Sequence, residues 1–357
     1  MPFNAEQLAY AGKAAIDFFL KNDPVDQINE ERPLFKKLVG DRKPYSGGLQ
    51  YVVEQIRESN DKNFQGYFGD SQVTYNRKRT LNQAKFSYGS FHDGFGLNED
   101  ELTQNGILMT DDRDAKPSGA EKVQLTNLLT ENTETLKLGF QEGFDIMLHR
   151  DGTQSTLEIP GLDNVISLTP TTGTVGGIDA AVKTYWQNYV KLDVTMANLI
   201  DEMEIAWRAC VRYGGQAPNF LLAGDVFVDV YRKAANAQIS RQIIVGGTRG
   251  NKDSTSVDAS TGDGAKTGLF FKGIEIIWDP IFNTMDTLDS PGDEWESRCY
   301  FINTRYLKLR PIAGHWMVSR RPPRVYDRYV NYWATTAKAA LTTGKRRAHA
   351  VITVTGS

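Results

Sequence analysis

Cysteine and histidine are scarce in this 357-residue chain, and each scarcity removes a class of chemistry. Two cysteines, Cys210 and Cys299, cannot make a disulfide framework; lying in apolar stretches, they read as buried thiols in a reducing compartment. The four histidines, at 92, 149, 315 and 349, are too scattered for any local zinc spacing. His149 reads as a helix-end cation and His315 as a neighbour of Trp316. No apolar run approaches the roughly 18 residues of a membrane span, so no membrane contact is expected. The start MPFNAEQLAY lacks the order of a signal peptide. Phosphate grips are missing as well. Lys266-Thr267 follows Ala265 where such a loop needs glycine, and Gly344-Lys345 runs into Arg346 in place of a hydroxyl. Ser90 has Gly89 before it but Tyr88 where a hydrolase elbow needs its flanking glycine. Asp111, Asp112 and Asp114 lack the Gly and closing Glu of a calcium loop. No enzyme activity, cofactor or metal is expected.

What the chain does have begins with one long helix. From Pro117 to Gly152 it reads as an uninterrupted amphipathic helix of about 30 residues, roughly 48 Å long at 1.5 Å per residue. Ser118 and Glu121 form a capping box. Leu125, Leu128, Leu129, Leu136, Phe140, Phe144, Met147 and Leu148 share one face. Glu131, Glu134, Lys137, Gln141, Glu142 and Asp145 take the other, and Gly152 offers the left-handed stop. Such a helix is either a beam crossing a domain or the core helix of an enzyme.

Residues 1–46 look like an arm: an Asn4-capped amphipathic helix, then a second apolar cluster at Leu34, Phe35 and Leu38. Neither piece buries much alone, so both are expected to dock on the body or on a neighbouring chain. Between LQYVVEQIRE and QAKFSYGSFHDG lie about 25 polar residues carrying Phe64, Tyr67 and Phe68 and the basic run Arg77-Lys78-Arg79. This predicts a long β-hairpin over 47–96 whose tip has no place in its own core. A two-stranded ribbon is marginal alone in water, so the hairpin implies a partner surface; the other reading is a mobile surface loop.

Beyond the helix, 153–190 is rich in Thr and Gly, with Gly173, Gly176 and Gly177 permitting unusual backbone. Asp193 is expected to cap a helix through Val211, followed by a strand at Asn219–Ala223, a helix at Asp225–Ala235 and strands at Leu269–Trp278, Cys299–Asn303 and Tyr306–Leu309. The mixture points to an α/β layer. Residues 246–268 read as a polar loop, and YVNYWATTAKAAL with AHAVITVTG as a terminal hairpin. Charge is uneven. Residues 305–347 hold eleven Lys or Arg against one Asp, which leaves the rest at about −13 of the total −3. Such asymmetry suits contact between copies, a surface facing polyanion, or merely a solvated basic face.

Five features in this order, namely an amphipathic arm, a projecting hairpin, a spine-length helix, a Gly/Thr-rich middle and a closing β segment, resemble the major capsid protein of tailed bacteriophages. The most specific stretches are IPGLDNVI (159–166), TTGTVGGID (171–179) and TYWQNYV (184–190), supported by RYLKLRPIAGHWM (305–317) and TTGKRRAHAVI. The resemblance implies an α+β Hong Kong 97-type fold. Its parts would be an N-terminal arm (1–46), an extended loop (47–96), a peripheral domain (97–157) with its spine helix over 118–151, an axial domain (mostly 158–300), and a C-terminal β segment (301–357) returning to the peripheral domain. It implies a structural head protein that assembles in the host cytoplasm into the pentamers and hexamers of an icosahedral shell. Packaged double-stranded DNA would be contacted without base reading, and scaffold, portal and cement proteins would be partners. No scaffold-like extension precedes the arm, which fits a separate scaffold or none. On this reading Phe64, Tyr67, Phe68, Arg77, Lys78 and Arg79 in the hairpin, with Leu34 and Phe35 in the arm, are the inter-subunit contact candidates. Lys62, Lys78 and Lys85 lie near the hairpin, but nothing marks one for the Lys–Asn cross-link of one branch of the family. An encapsulin-type compartment and a soluble α/β enzyme are the alternatives.

Overall fold

The computed structural model describes residues 29–47, 50–60, 63–75, 80–98, 100, 119–213, 216–239, 266–288, 294–322 and 330–355. The Asn4-capped helix, Arg77, Lys78, Arg79, the Ser118 cap and most of the 246–268 loop lie outside the described residues.

Pro33 opens α1 (Pro33–Gly40), at a position where a missing N–H costs nothing. Leu34, Phe35 and Leu38 are buried on its inner side. The chain then zips onto residues 309–313: Lys43 N–H donates to the Leu309 carbonyl at 2.9 Å and Tyr45 N–H to that of Pro311 at 2.8 Å. Leu34 and Phe35 are 0 % and 6 % exposed within their own chain, which corrects their expected role as contacts to a neighbour. Their spacing turns them inward on the helix, and the backbone zip holds them there.

Strands β1 (Tyr51–Arg57) and β2 (Leu81–Ser87) form the expected antiparallel ribbon, registered from Tyr51↔Ser87 to Arg57↔Leu81. The return strand does not continue to residue 96 in this ribbon. It breaks at Tyr88, and β3 (Gly89–Asn98) pairs with a strand over 330–343 instead. Glycine decides this: a Cβ at Gly94 would lie 2.9 Å from the Trp333 carbonyl oxygen, and one at Gly96 2.8 Å from Val330.

The long helix forms as α2 (Gly119–His149), with Leu136, Phe140, Phe144, Met147 and Leu148 buried as their spacing requires. Gly152 stops it at φ +82°. After the short α3 (Leu162–Val165), β4 (Thr174–Val175) and β5 (Ile178–Asp179) make a tight hairpin. Strand β6 (Tyr189–Val194) and helix α4 (Leu199–Val211) follow. Asp193 is not the helix cap expected of it. It lies inside β6, one residue before the strand's end, at φ 53°, and Asn198 occupies the cap position. Next come β7 (Phe220–Ala223), α5 (Asp225–Ile239), and then β8 (Lys266–Phe271) and β9 (Ile274–Trp278). The last two replace the single strand expected at 269–278, because Lys272 and Gly273 both take positive φ and fold the run back on itself. The chain closes with α6 (Ile281–Leu288), β10 (Arg298–Ile302), β11 (Leu307–Pro311), β12 (Val318–Arg320), β13 (Val330–Thr343) and β14 (Ala350–Val354).

Two compact units result. The smaller takes in Ser90–Phe144 and Gly314–Lys338. In it β3 and β12 pair with the first part of β13, and Phe144 meets Phe91 and Trp316 edge-on. The larger takes in Glu31–Gly89, Asp145–Ala313 and Ala339–Ser357. Its centre is a mixed six-stranded sheet in the order β6-β14-β10-β7-β9-β8, packed on α4 and α5. FLLA, RCYFI and AVITV are buried on both faces of this sheet, as near-continuous apolar runs should be. The expected terminal hairpin does not form. β13 pairs with β11 at its end, whereas β14 lies parallel to β6 and antiparallel to β10. Of the closing segment from residue 301, residues 301–313 and 339–355 run in the larger unit, and AVITV can be buried on both faces only inside a sheet.

Candidate functional site

The ribbon has two ends with opposite character. At its base Ile56, Ala84 and Phe86 form a small core with Val175, Ile178 and Trp186 of the same chain. Gly176, at φ +60°, sits where a Cβ would come within 3.0 Å of both Ala84 and Phe86, and its carbonyl accepts the Lys85 N–H at 2.8 Å. Asn82 donates to the Tyr185 hydroxyl at 3.0 Å, and Lys183 pairs with Glu58. On the other strand Glu54 takes Arg310 at 2.5 Å and the Thr342 hydroxyl at 3.2 Å.

At the tip the chain closes differently. Ser71 donates its N–H and hydroxyl to the Phe68 carbonyl at 3.2 and 2.7 Å, with Gly69 at φ +53°, so a tight turn forms the apex. The Gln65 amide bridges the two legs to Thr74. Phe64 is fully exposed, Phe68 91 %, Tyr75 90 % and Tyr67 73 %. Three of these four aromatics are expected contact candidates; Tyr75 was not singled out from the sequence. Fully burying one such side chain is worth roughly 1.5–3 kcal/mol, and the chain withholds it from all of them.

The base is fixed by a polar crossing that sequence reasoning did not anticipate. Arg346 is fully buried and ends on neutral oxygens: the carbonyls of Val165 (2.8 Å), Trp186 (2.9 Å) and Asn164 (3.5 Å), and Asn188 Oδ1 (3.2 Å). It thereby ties TTGKRRAHAVI to IPGLDNVI and TYWQNYV. Burial lowers its pKa to about 10, which still leaves it charged near neutrality. Burial first, then that charge, pushes His349 down to about 3, so the neutral ring accepts the Asn303 N–H at Nδ1. Gly161 crosses the end of α2 so closely that a Cβ would fall within 2.6 Å of the Met147 carbonyl oxygen and closer still to that of Arg150.

His149 is a cation, as expected, but a buried one, 3.1 Å from Asp279. Burial opposes its charge, yet Asp145 and Asp279 prevail and raise it to about 9. Asp145, expected on the polar face of α2, is also buried. Burial and then Asp279 push it up to about 7 against the pull of His149 and Arg32. The spacing of Asp145 and His149, i and i+4, was readable; their third partner was not. Among the described residues no group of three or more His, Cys, Asp or Glu could hold a metal ion, and no helix is long and apolar enough to cross a membrane.

No protein-family model and no curated protein matches the sequence. Solved structures do. A chain in the capsid asymmetric unit of cyanophage A-1(L) aligns over 94 % of this chain and 97 % of its own at TM-score 0.59 and 15 % identity. The capsid of myovirus XM1 aligns over 94 % and 97 % at TM-score 0.52 and 12 % identity, and that of cyanophage P-SCSP1u over 96 % and 94 % at 0.53 and 10 %. The fold is that of a phage capsid protein. It has the α+β make-up expected of it. On this capsid fold the exposed aromatics lie at the tip of a ribbon whose base is locked to its own subunit.

Proposed function

We propose that the chain is the major capsid protein of a tailed double-stranded DNA phage and assembles through pentamers and hexamers into an icosahedral shell. The reading is carried by the ribbon tip. On a phage capsid fold, a tip that presents Phe64, Tyr67 and Phe68 to water while its base is fastened has a use only if a neighbouring copy covers it. Arg77, Lys78 and Arg79, in the same loop, are proposed contacts as well. Residues 47–96 would lie over an adjacent subunit, in the repeating heterologous contact that closed shells need. DNA would be held inside without base reading, so no groove-reading element is called for. Scaffold, portal and cement proteins are the further partners proposed, with assembly in the host cytoplasm and residence in the virion.

Expression of the full chain and electron microscopy of the purified protein test this. Closed shells or sheets of hexamers are expected. Monomers alone, across all salt and protein concentrations in light scattering, would overturn it.

A further inference from the structure

A second surface of the larger unit, apart from the ribbon, gathers cationic side chains. A cleft of about 720 Å³ opens beside α4, floored by Thr184 and Asn188. Arg208 and Arg212, one helical turn apart, line it together with Arg347. The Arg347 guanidinium stacks on Tyr213 at 4.1 Å from the ring centroid, and that of Arg212 stands 5.6 Å away. Arg347 donates to the Thr184 carbonyl at 2.7 Å, and Lys345 reaches the Tyr213 carbonyl at 2.5 Å. Both acceptors are neutral. Among the described residues one carboxylate pairs with the group: Glu204, 3.9 Å from Arg208, and Lys272 already holds it at 2.6 Å. Burial, and after it the nearby Arg347 charge, push the Lys345 ammonium down.

Crowding like charges around one ring is unfavourable unless an anion offsets it. We propose that this cleft seats a carboxylate-bearing segment of a second copy of the chain. Charge complementarity selects that occupant. Residues 305–347 carry about +10 and the remainder about −13, so each copy brings to its neighbour the acid that this cleft lacks. Arginines around a half-exposed tyrosine also have the make-up of an interface anchor. A phosphate backbone fits less well. Arg347 already occupies a face of Tyr213, and a cleft of this size admits a side chain or a strand more readily than a duplex.

The inference rests on the capsid reading only in requiring a second copy, and the test separates the two. Full-length protein grown with light nitrogen is mixed with protein grown with heavy nitrogen under assembly conditions, then coupled with a carbodiimide that joins amines to carboxylates. A light–heavy cross-link from Lys345, or from position 347 in Arg347→Lys, to an Asp or Glu is expected. Arg208→Ala/Arg212→Ala, both at exposed positions, should raise the concentration for half-assembly about tenfold with an unchanged circular dichroism spectrum. Same-isotope links alone would show the cleft filled by its own chain and overturn the proposal. So would wild-type assembly by the double variant with weakened retention of double-stranded DNA, which would assign the cleft to phosphate. Shells without mixed links would remove this inference and leave the capsid reading standing; mixed links without shells would do the reverse.

Discussion

The crossing around Arg346 and the tip of the ribbon are the same protein under opposite rules. At the crossing a charged group is taken wholly out of water and given four oxygens of its own chain. At the tip, apolar rings are left in water, with no described residue of their own chain covering them. The first arrangement is complete in one copy: every acceptor around the guanidinium belongs to the same chain. The second leaves the burial of these rings unused within one copy. On the proposed capsid role, a subunit that folds alone and then assembles needs both, and needs them kept apart. The core of Ile56, Phe86 and Trp186 does so by anchoring the ribbon behind its tip.

The comparison can be broken most forcefully at the crossing. Arg346→Met should lower unfolding free energy by roughly 3 kcal/mol or more, since each orphaned buried acceptor costs about 1–3 kcal/mol. Arg346→Lys should not restore it, having no planar fork to reach several oxygens. Gly161→Ala, driving a methyl into the carbonyls that end α2, should do comparable damage. Urea melts check all three, and a wild-type midpoint in any of them would deny the crossing its role.

The buried His149 cluster sharpens the comparison through pH. Its folded pKa is raised above 6.5 to about 9, so its contribution is fully present below pH 6.5 and is lost as pH rises through 9. Asp145, raised from 3.8 to about 7, also binds its proton more tightly when folded, so its effect likewise falls as pH rises, between about 4 and 7. Stability should therefore decline from pH 6 to pH 9 by an amount on the order of 1 kcal/mol or more, and His149→Gln should flatten that slope. A stability that rises over this range would refute the assignment.

At the tip, Phe64→Ser with Phe68→Ser should leave stability within about 0.5 kcal/mol, as exposed substitutions do, while abolishing shells in the microscope. A large loss of stability would mean that the rings are covered within the chain. Smallest is Lys183→Ala. Its partly exposed ion pair with Glu58 is worth at most about 1 kcal/mol, visible as a slight shift in the melt.

Much of the fold was legible because periodicity survives tertiary structure. α2 formed within two residues of expectation, and the ribbon's paired strands lie where alternation put them. Other readings failed where one short run could satisfy two geometries. YVNYWATTAKAAL and AHAVITVTG look like hairpin partners, but long-range pairing sends them to different sheets. Asp193 looks like a cap, but the sheet claims its neighbours first. Three of the four tip aromatics, Phe64, Tyr67 and Phe68, could be named from the sequence because they have no apolar company there. Arg346 could not, because nothing local distinguishes a buried arginine from a solvated one.

The order of residues by itself determined the long helix, the ribbon, the glycine-dependent turns and the charge imbalance, since each depends on neighbours a few positions away. Tertiary structure alone decided that β14 lies between β6 and β10, that Arg346 meets Val165 and Trp186, and that Leu34 and Phe35 belong to the interior. Those outcomes depend on which distant oxygens and apolar faces are still unpaired when the chain closes, and no local pattern records that.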